Sequence, residues 1–168
     1  MKDAYTLAVA RPDDAEAVGA LLQASYPTLM RDHYDAAVLA AALPAMTRAN
    51  LDLLSSGTYY LVHSVDGAAV GCGGWTWARP GSGETETGLA HIRHFATHPD
   101  WLGRGIGRLL YERCETDARA AGAQRFECYS SLNAEGFYAV LGFAAVRKGE
   151  IPMPGGIGIP TLIMEKRI

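Results

Sequence analysis

Residues 89–129 read strand, glycine-rich turn, helix, strand, and this unit restricts the fold more than any other feature of the chain. "GLAHIRHFATHP" (Gly88–Pro99) has the pattern of a strand. "GRGIGRLLYERCETDARAAGA" repeats apolar Ile106, Leu109, Leu110, Cys114 and Ala118 at helical spacing, and Gly122 is its stop. "RFECYS" is the second strand. Two strands joined by a crossover helix form a parallel pair with a right-handed connection.

The signals around that pair are antiparallel. "YTLAVA" (Tyr5–Ala10) reads as a strand, and Pro12 with Asp13 and Asp14 opens a helix through about Ser25. Residues 27–57 are Ala/Leu-rich and helical, broken near Pro44 and ended at Gly57. Two β-branched and aromatic runs flank Asp66-Gly67, which predicts a hairpin with a type I′ turn. "NAEGFYAVLG" is a short helix entered at Asn133. "FAAVRKGEI" and "TLIMEKR" are closing strands joined by the loop "PMPGGIGIP". The order β-α-α-β-β-β-α-β-α-β-β predicts an α/β (α+β) mixed sheet with helices on both faces. At 168 residues the chain is expected to form a single domain, 1–168, with a core large enough to need no disulfide or metal.

Composition narrows the function classes. A net charge of −3 and a pI near 5.9 argue against a broad nucleic-acid footprint, although a local basic patch suffices for one phosphate. Cys72, Cys114 and Cys128 are odd in number and form no CxxC pair, so they read as buried, reduced thiols. No apolar run approaches membrane-spanning length and the start of the chain has no signal-type apolar core. The expectation is a cytoplasmic protein with no membrane or nucleic-acid partner.

Gly103, Gly105 and Gly107 alternate at the helix start, between Arg104 and Arg108. A helix N-terminus offers unpaired N–H groups and partial positive charge, and removing Cβ atoms there lets a phosphate rest on the main chain. A Walker A loop needs a lysine that this turn does not have. A dinucleotide fingerprint needs glycine at 108, where Arg stands. A turn that needs glycine only for tightness is the bland alternative.

With "THP" upstream and "NAEGFYAVLGF" downstream, residues 89–143 resemble the GNAT N-acetyltransferase superfamily, and element order extends the resemblance to most of the chain. The family's phosphate motif, Q/R-x-x-G-x-G/A, falls on Leu102-Gly103-Arg104-Gly105-Ile106-Gly107, with Leu102 departing from Gln or Arg. The resemblance implies a mostly antiparallel sheet splayed at the parallel pair. Acetyl-CoA as co-substrate, with no metal, would lie in the V-shaped opening. The pyrophosphate would rest on Gly103, Arg104, Gly105, Ile106, Gly107 and Arg108. The pantetheine amides would pair with main-chain groups near Phe95 and Thr97, and Asn133 would contact the pantetheine or a bound water. The implied reaction transfers an acetyl group to an amine of a small molecule or peptide. A non-catalytic acyl-CoA-binding module and a nucleotide-dependent oxidoreductase are the alternatives.

Transfer to an amine moves two protons, one off the ammonium and one onto the leaving thiolate. The resemblance casts Tyr138 as general acid; otherwise it is a helix tyrosine packed beside Phe137. Strand alternation puts Leu89, His91, Arg93, Phe95 and Thr97 on one face, and Ala90, Ile92, His94, Ala96 and His98 on the other. His91 is the candidate base, with an unperturbed pKa near 6.5 that predicts an acidic limb in that region. The alternatives are Glu84, Glu86, water, or a half-buried His91 with no role. His91, His94 and His98 are too far apart along a strand to share a metal ion. Trp75 and Trp77 share a face and are candidates for an acceptor pocket. The resemblance puts the acceptor side in residues 26–50 and 149–160. Asp32, Asp35, Glu84 and Glu86 are either a lure for a cationic amine or solvated surface, and dimerisation through the C-terminal strands is an open possibility.

Overall fold

The computed structural model describes residues 4–168. A seven-stranded sheet in the order β1-β2-β3-β4-β5-β7-β6 organises the molecule. Its strands are β1 (Thr6–Val9), β2 (Tyr59–His63), β3 (Ala69–Thr76), β4 (Leu89–Thr97), β5 (Arg125–Ser131), β6 (Ala144–Met153) and β7 (Ile157–Arg167). Every pairing is antiparallel except β4 with β5. The helices are α1 (Ala15–Met30), α2 (Ala36–Met46), α3 (Leu51–Leu54), α4 (Ile106–Ala120) and α5 (Glu135–Val140).

The two sheet faces carry separate cores. α4 and α5 cover one, where Ile106, Leu110, Tyr111, Cys114 and Ala118 pack on Tyr60, Ile92, Phe126 and Met164. These α4 residues recur at helical spacing, which is why the helix buries this stripe. α1 and α3 cover the other face through Val18, Leu21, Leu22, Leu53 and Leu54 against Tyr59, Leu61 and Cys72.

Several local expectations change. α1 runs through Pro27 to Met30, and α2 runs through Pro44; the breaks fall at 31–35 and 47–50. Asp35 and Asn50 explain the restarts, since each side chain caps the helix after it. The β2–β3 turn is not type I′, because Gly67 has φ +84° but Asp66 is not left-handed. The Ser64 C=O accepts from the Gly67 N–H at 2.9 Å, and the Ser64 N–H donates to the Ala68 C=O at 2.9 Å. That is a three-residue loop ending in a left-handed glycine. The expected loop 152–160 is mostly strand, since β6 and β7 pair out to Met153↔Ile157. Pro152 lies on an edge strand, and Pro160 lies just beyond Thr161, where the β5 ladder stops. Neither position owes an N–H to the sheet interior.

Two irregularities break the regularity of the sheet along β4. β4 and β5 pair only over Leu89–His91 and Arg125–Glu127, then separate. The β3–β4 register shifts between Cys72↔Ala96 and Gly74↔Arg93, leaving one extra residue in β4. This bulge contains His94, the one non-glycine among the described residues with positive φ, at 47°.

Candidate active site

The separation of β4 from β5 opens a cleft of about 860 Å³. Beyond His91 the β4 backbone has no strand partner on that side among the described residues. The bulge breaks the expected alternation, so Phe95 packs with Ala90 and Ile92 on the α4 face while Ala96 packs on the α1 face. Phenols fix the bulge: Tyr59 Oη donates to the His94 C=O at 2.9 Å and Tyr26 Oη to the Phe95 C=O at 3.1 Å. Phe95 and Thr97 both line the cleft.

The N-terminus of α4 points into the same space. The first amide bonded within the helix is that of Leu109, to the Gly105 C=O at 2.9 Å. The N–H groups of Ile106, Gly107 and Arg108 therefore have no backbone acceptor among the described residues. Gly103 (φ +72°) and Gly105 (φ +81°) are left-handed, and a Cβ on either would project into open space. A rigid concavity of unspent amides, bare of side chains, fits a phosphate. Gly107 has a different reason to be glycine: a Cβ there would stand 2.8 Å from the Phe137 ring. Gly103, Gly105, Ile106, Gly107 and Arg108 line the cleft. Arg104 does not; its guanidinium lies over the Trp101 ring at 4.5 Å.

Asn133 and Tyr138 close the far wall. Asn133 Oδ1 is buried with no hydrogen-bond partner among the described residues, an orphan acceptor facing a ligand-sized space. Tyr138 is 5% exposed and packs against Phe95, Phe137 and Phe143. Burial, together with the Cys128 thiol beside its hydroxyl, holds the phenol well above its ordinary pKa. The phosphate cradle, the unpaired strand edge and the orphan amide oxygen together fit acetyl-CoA.

His91, the expected base, is not among the residues that line the cleft. It is 1% exposed at the apex of the splay, with Nδ1 3.4 Å from Glu127 Oε1. Burial first, then Arg79 and Arg93, depress its pKa to about 4, so the imidazole is neutral at neutral pH and this contact is not an ion pair. Any acidic limb from this side chain is shifted below 6.5. Sequence reasoning missed Glu127, because alternation along β5 does not reveal that His91, Arg79 and Arg147 converge on it.

The acidic candidates are occupied elsewhere. Glu84 pairs with Arg79 and Glu86 with Arg125, while Asp35 caps α2. Among the described residues no Asp or Glu lines the cleft. Trp75 and Trp77 also lie away from it, edge to face in the α4-side core. Residues 26–46 and 151–159, with Pro80 and Gly81 from the β3–β4 connection, line the rest of the cleft. Tyr34 ties it together, donating to the Pro160 C=O at 2.8 Å and accepting from the Leu132 N–H at 2.9 Å. Among the described residues no group of His, Cys, Asp and Glu side chains is placed to hold a metal, and no helix is long and apolar enough to cross a membrane.

The acetyltransferase (GNAT) family model matches residues 16–143, well over half the sequence, and the chain belongs to that family. Solved structures share its fold at low identity. The GCN5-related N-acetyltransferase of Rhodopseudomonas palustris is 23% identical with a TM-score of 0.76, over 100% of this chain and 97% of that one. The PaiA N-acetyltransferase of Thermoplasma acidophilum, in complex with coenzyme A, is 15% identical with a TM-score of 0.74, over 98% and 99%. Mosquito arylalkylamine N-acetyltransferase like 5b is 14% identical with a TM-score of 0.70, over 98% and 100%.

Proposed function

We propose that this chain transfers an acetyl group from acetyl-CoA to an amine of a small molecule or peptide by direct attack, with Tyr138 as general acid. One juxtaposition carries the reading. The unspent amides of Ile106, Gly107 and Arg108 open onto the same cleft as the unpaired edge of β4, Asn133 Oδ1 and Tyr138. The coenzyme A complex of the PaiA relative supports the same choice of ligand.

Acetyl-CoA supplies a thioester, an acyl group activated toward amines. The α4 N-terminus holds its pyrophosphate, with Arg108 adding charge at the rim. Main-chain groups of β4 near Phe95 and Thr97 take the pantetheine amides as an added strand, and Asn133 accepts a further donor. The raised pKa keeps Tyr138 protonated at any working pH, the state a donor to the departing thiolate needs. It also makes complete proton transfer costly, so the phenol acts mainly by hydrogen-bonding the sulfur as charge develops. With no carboxylate from the described residues in the cleft and His91 behind its wall, the ammonium proton leaves through water.

Calorimetry with acetyl-CoA and thiol release with an amine panel test the reading together. Tyr138→Phe is expected to lower kcat by roughly 10²-fold while affinity for acetyl-CoA stays near normal. A folded protein with no acetyl-CoA binding contradicts the reading. Unchanged turnover in Tyr138→Phe removes the tyrosine from the chemistry.

A further inference from the structure

Arg93 is a half-buried cation in the cleft with no acid partner among the described residues. It sits on β4 immediately before the bulge, opposite Gly74. Its side chain lines the cleft. Nη1 donates to Thr76 Oγ1 at 3.0 Å, and that hydroxyl donates to the Ala78 C=O at 2.8 Å. Thr76 thus aims the guanidinium without neutralising it. Arg79 and Arg147 reach Glu127, Arg125 reaches Glu86, and Arg113 reaches Asp117, but no carboxylate of the described residues comes within ion-pair distance of Arg93.

Removing a guanidinium from water without a counter-charge is expensive, and structures supply a partner or use the site. The facing walls offer none. Met30, His33, Tyr34, Tyr129 and Met153 contain no acid. Arg108, the other arginine lining the cleft, belongs to the phosphate cradle at the α4 end. The planar fork of a guanidinium matches a carboxylate in two parallel hydrogen bonds.

Resting on the acetyltransferase reading, we infer that Arg93 binds a carboxylate of the acceptor, so the acceptor is an amine that also carries a carboxylate, of the amino-acid type. The positive charge lies inside the cleft and Asp32, Asp35, Glu84 and Glu86 lie outside it. A free amino acid and the C-terminus of a short peptide present the same chemistry.

The test is a panel of free amino acids, their amides, the matching decarboxylated amines and short peptides with free or amidated C-termini. Thiol release is followed in the wild type, Arg93→Gln and Arg93→Lys. In parallel, thermal shift with each compound is read with and without coenzyme A. The wild type is expected to favour carboxylates over their amides by at least 10²-fold in kcat/KM. Arg93→Gln is expected to abolish that preference through KM while acetyl-CoA affinity holds, and Arg93→Lys to retain part of it. Free amino acids and free peptide C-termini distinguish the two sources by their relative kcat/KM. Equal or better use of amides and decarboxylated amines overturns the inference, as does an unchanged preference in Arg93→Gln. If nothing is acetylated, thermal shifts decide: Arg93-dependent stabilisation by carboxylates supports the inference, and its absence overturns it. Failure of acetyl-CoA to bind counts against the acetyltransferase reading alone, because the thermal-shift arm reads Arg93 without it.

Discussion

Gly105 and Gly107 stand two residues apart in one motif and are glycine for unrelated reasons. At Gly105 the backbone is left-handed and faces open space, so a side chain there meets strain and fills the space proposed for the pyrophosphate. Gly105→Val is expected to cost about 1–3 kcal/mol of stability and to abolish acetyl-CoA binding, as calorimetry on the folded fraction reads. Gly107→Ala instead pushes on Phe137 and is expected to act through packing. His91 gives a pH-dependent outcome. Its folded pKa of about 4 lies below the unfolded value near 6.5, so between those values the unfolded chain binds more protons. Stability is therefore full above about 6.5 and falls as pH drops toward 4, by about 3 kcal/mol at most from this group. Denaturant melts at several pH values check this, and His91→Gln is expected to flatten the slope across that window. The glycine-rich start of α4 was legible because alternating glycines at a helix N-terminus stand out in the sequence. The state of His91 was not, because Arg79 and Glu127, which act on it, come from two separate parts of the chain.

Among the elements, β4 departs most from its sequence pattern. Strict alternation assigned Phe95 to the face of His91, and the extra residue at His94 moves it to the other. Nothing local announces that bulge, because it is held from outside by Tyr26 on α1 and Tyr59 on β2. Gly73, opposite the bulge, is its counterpart in β3: a Cβ there would run into the Phe95 ring. Gly73→Ala is expected to turn that ring into the cleft, costing about 1–3 kcal/mol by overpacking and lowering acetyl-CoA affinity about tenfold (about 1.4 kcal/mol). Calorimetry and thermal melts separate the two effects. The existence of the helices and strands, and the parallel pairing of β4 with β5, were legible from periodicity and element order. Pro44 was misread because a helix packed along its length tolerates one lost N–H bond in its last turn, and the run 152–160 because an edge strand does not need every N–H.

At the scale of the whole molecule, β1–β4 and β5–β7 meet through the short parallel pairing at Leu89–His91. A ligand lying between them bridges the halves and binds only the folded state. Coenzyme A at a hundred times its Kd is expected to stabilise by about 2.7 kcal/mol, raising Tm by several degrees and slowing amide exchange along residues 92–97; a melt unaffected by coenzyme A contradicts this. The same division orders events during synthesis. β1 to β4 form a meander in which each strand pairs with its predecessor, complete by Thr97. β5 emerges after α4 and finds only the apex of β4 to pair with, until β7 (Ile157–Arg167) inserts between β5 and β6. The N-terminal strands are therefore made before α4, which covers one of their faces, and before the C-terminal strands. A nascent chain acquires its second cleft wall, and with it the ability to retain a ligand, only when its closing strand has been made.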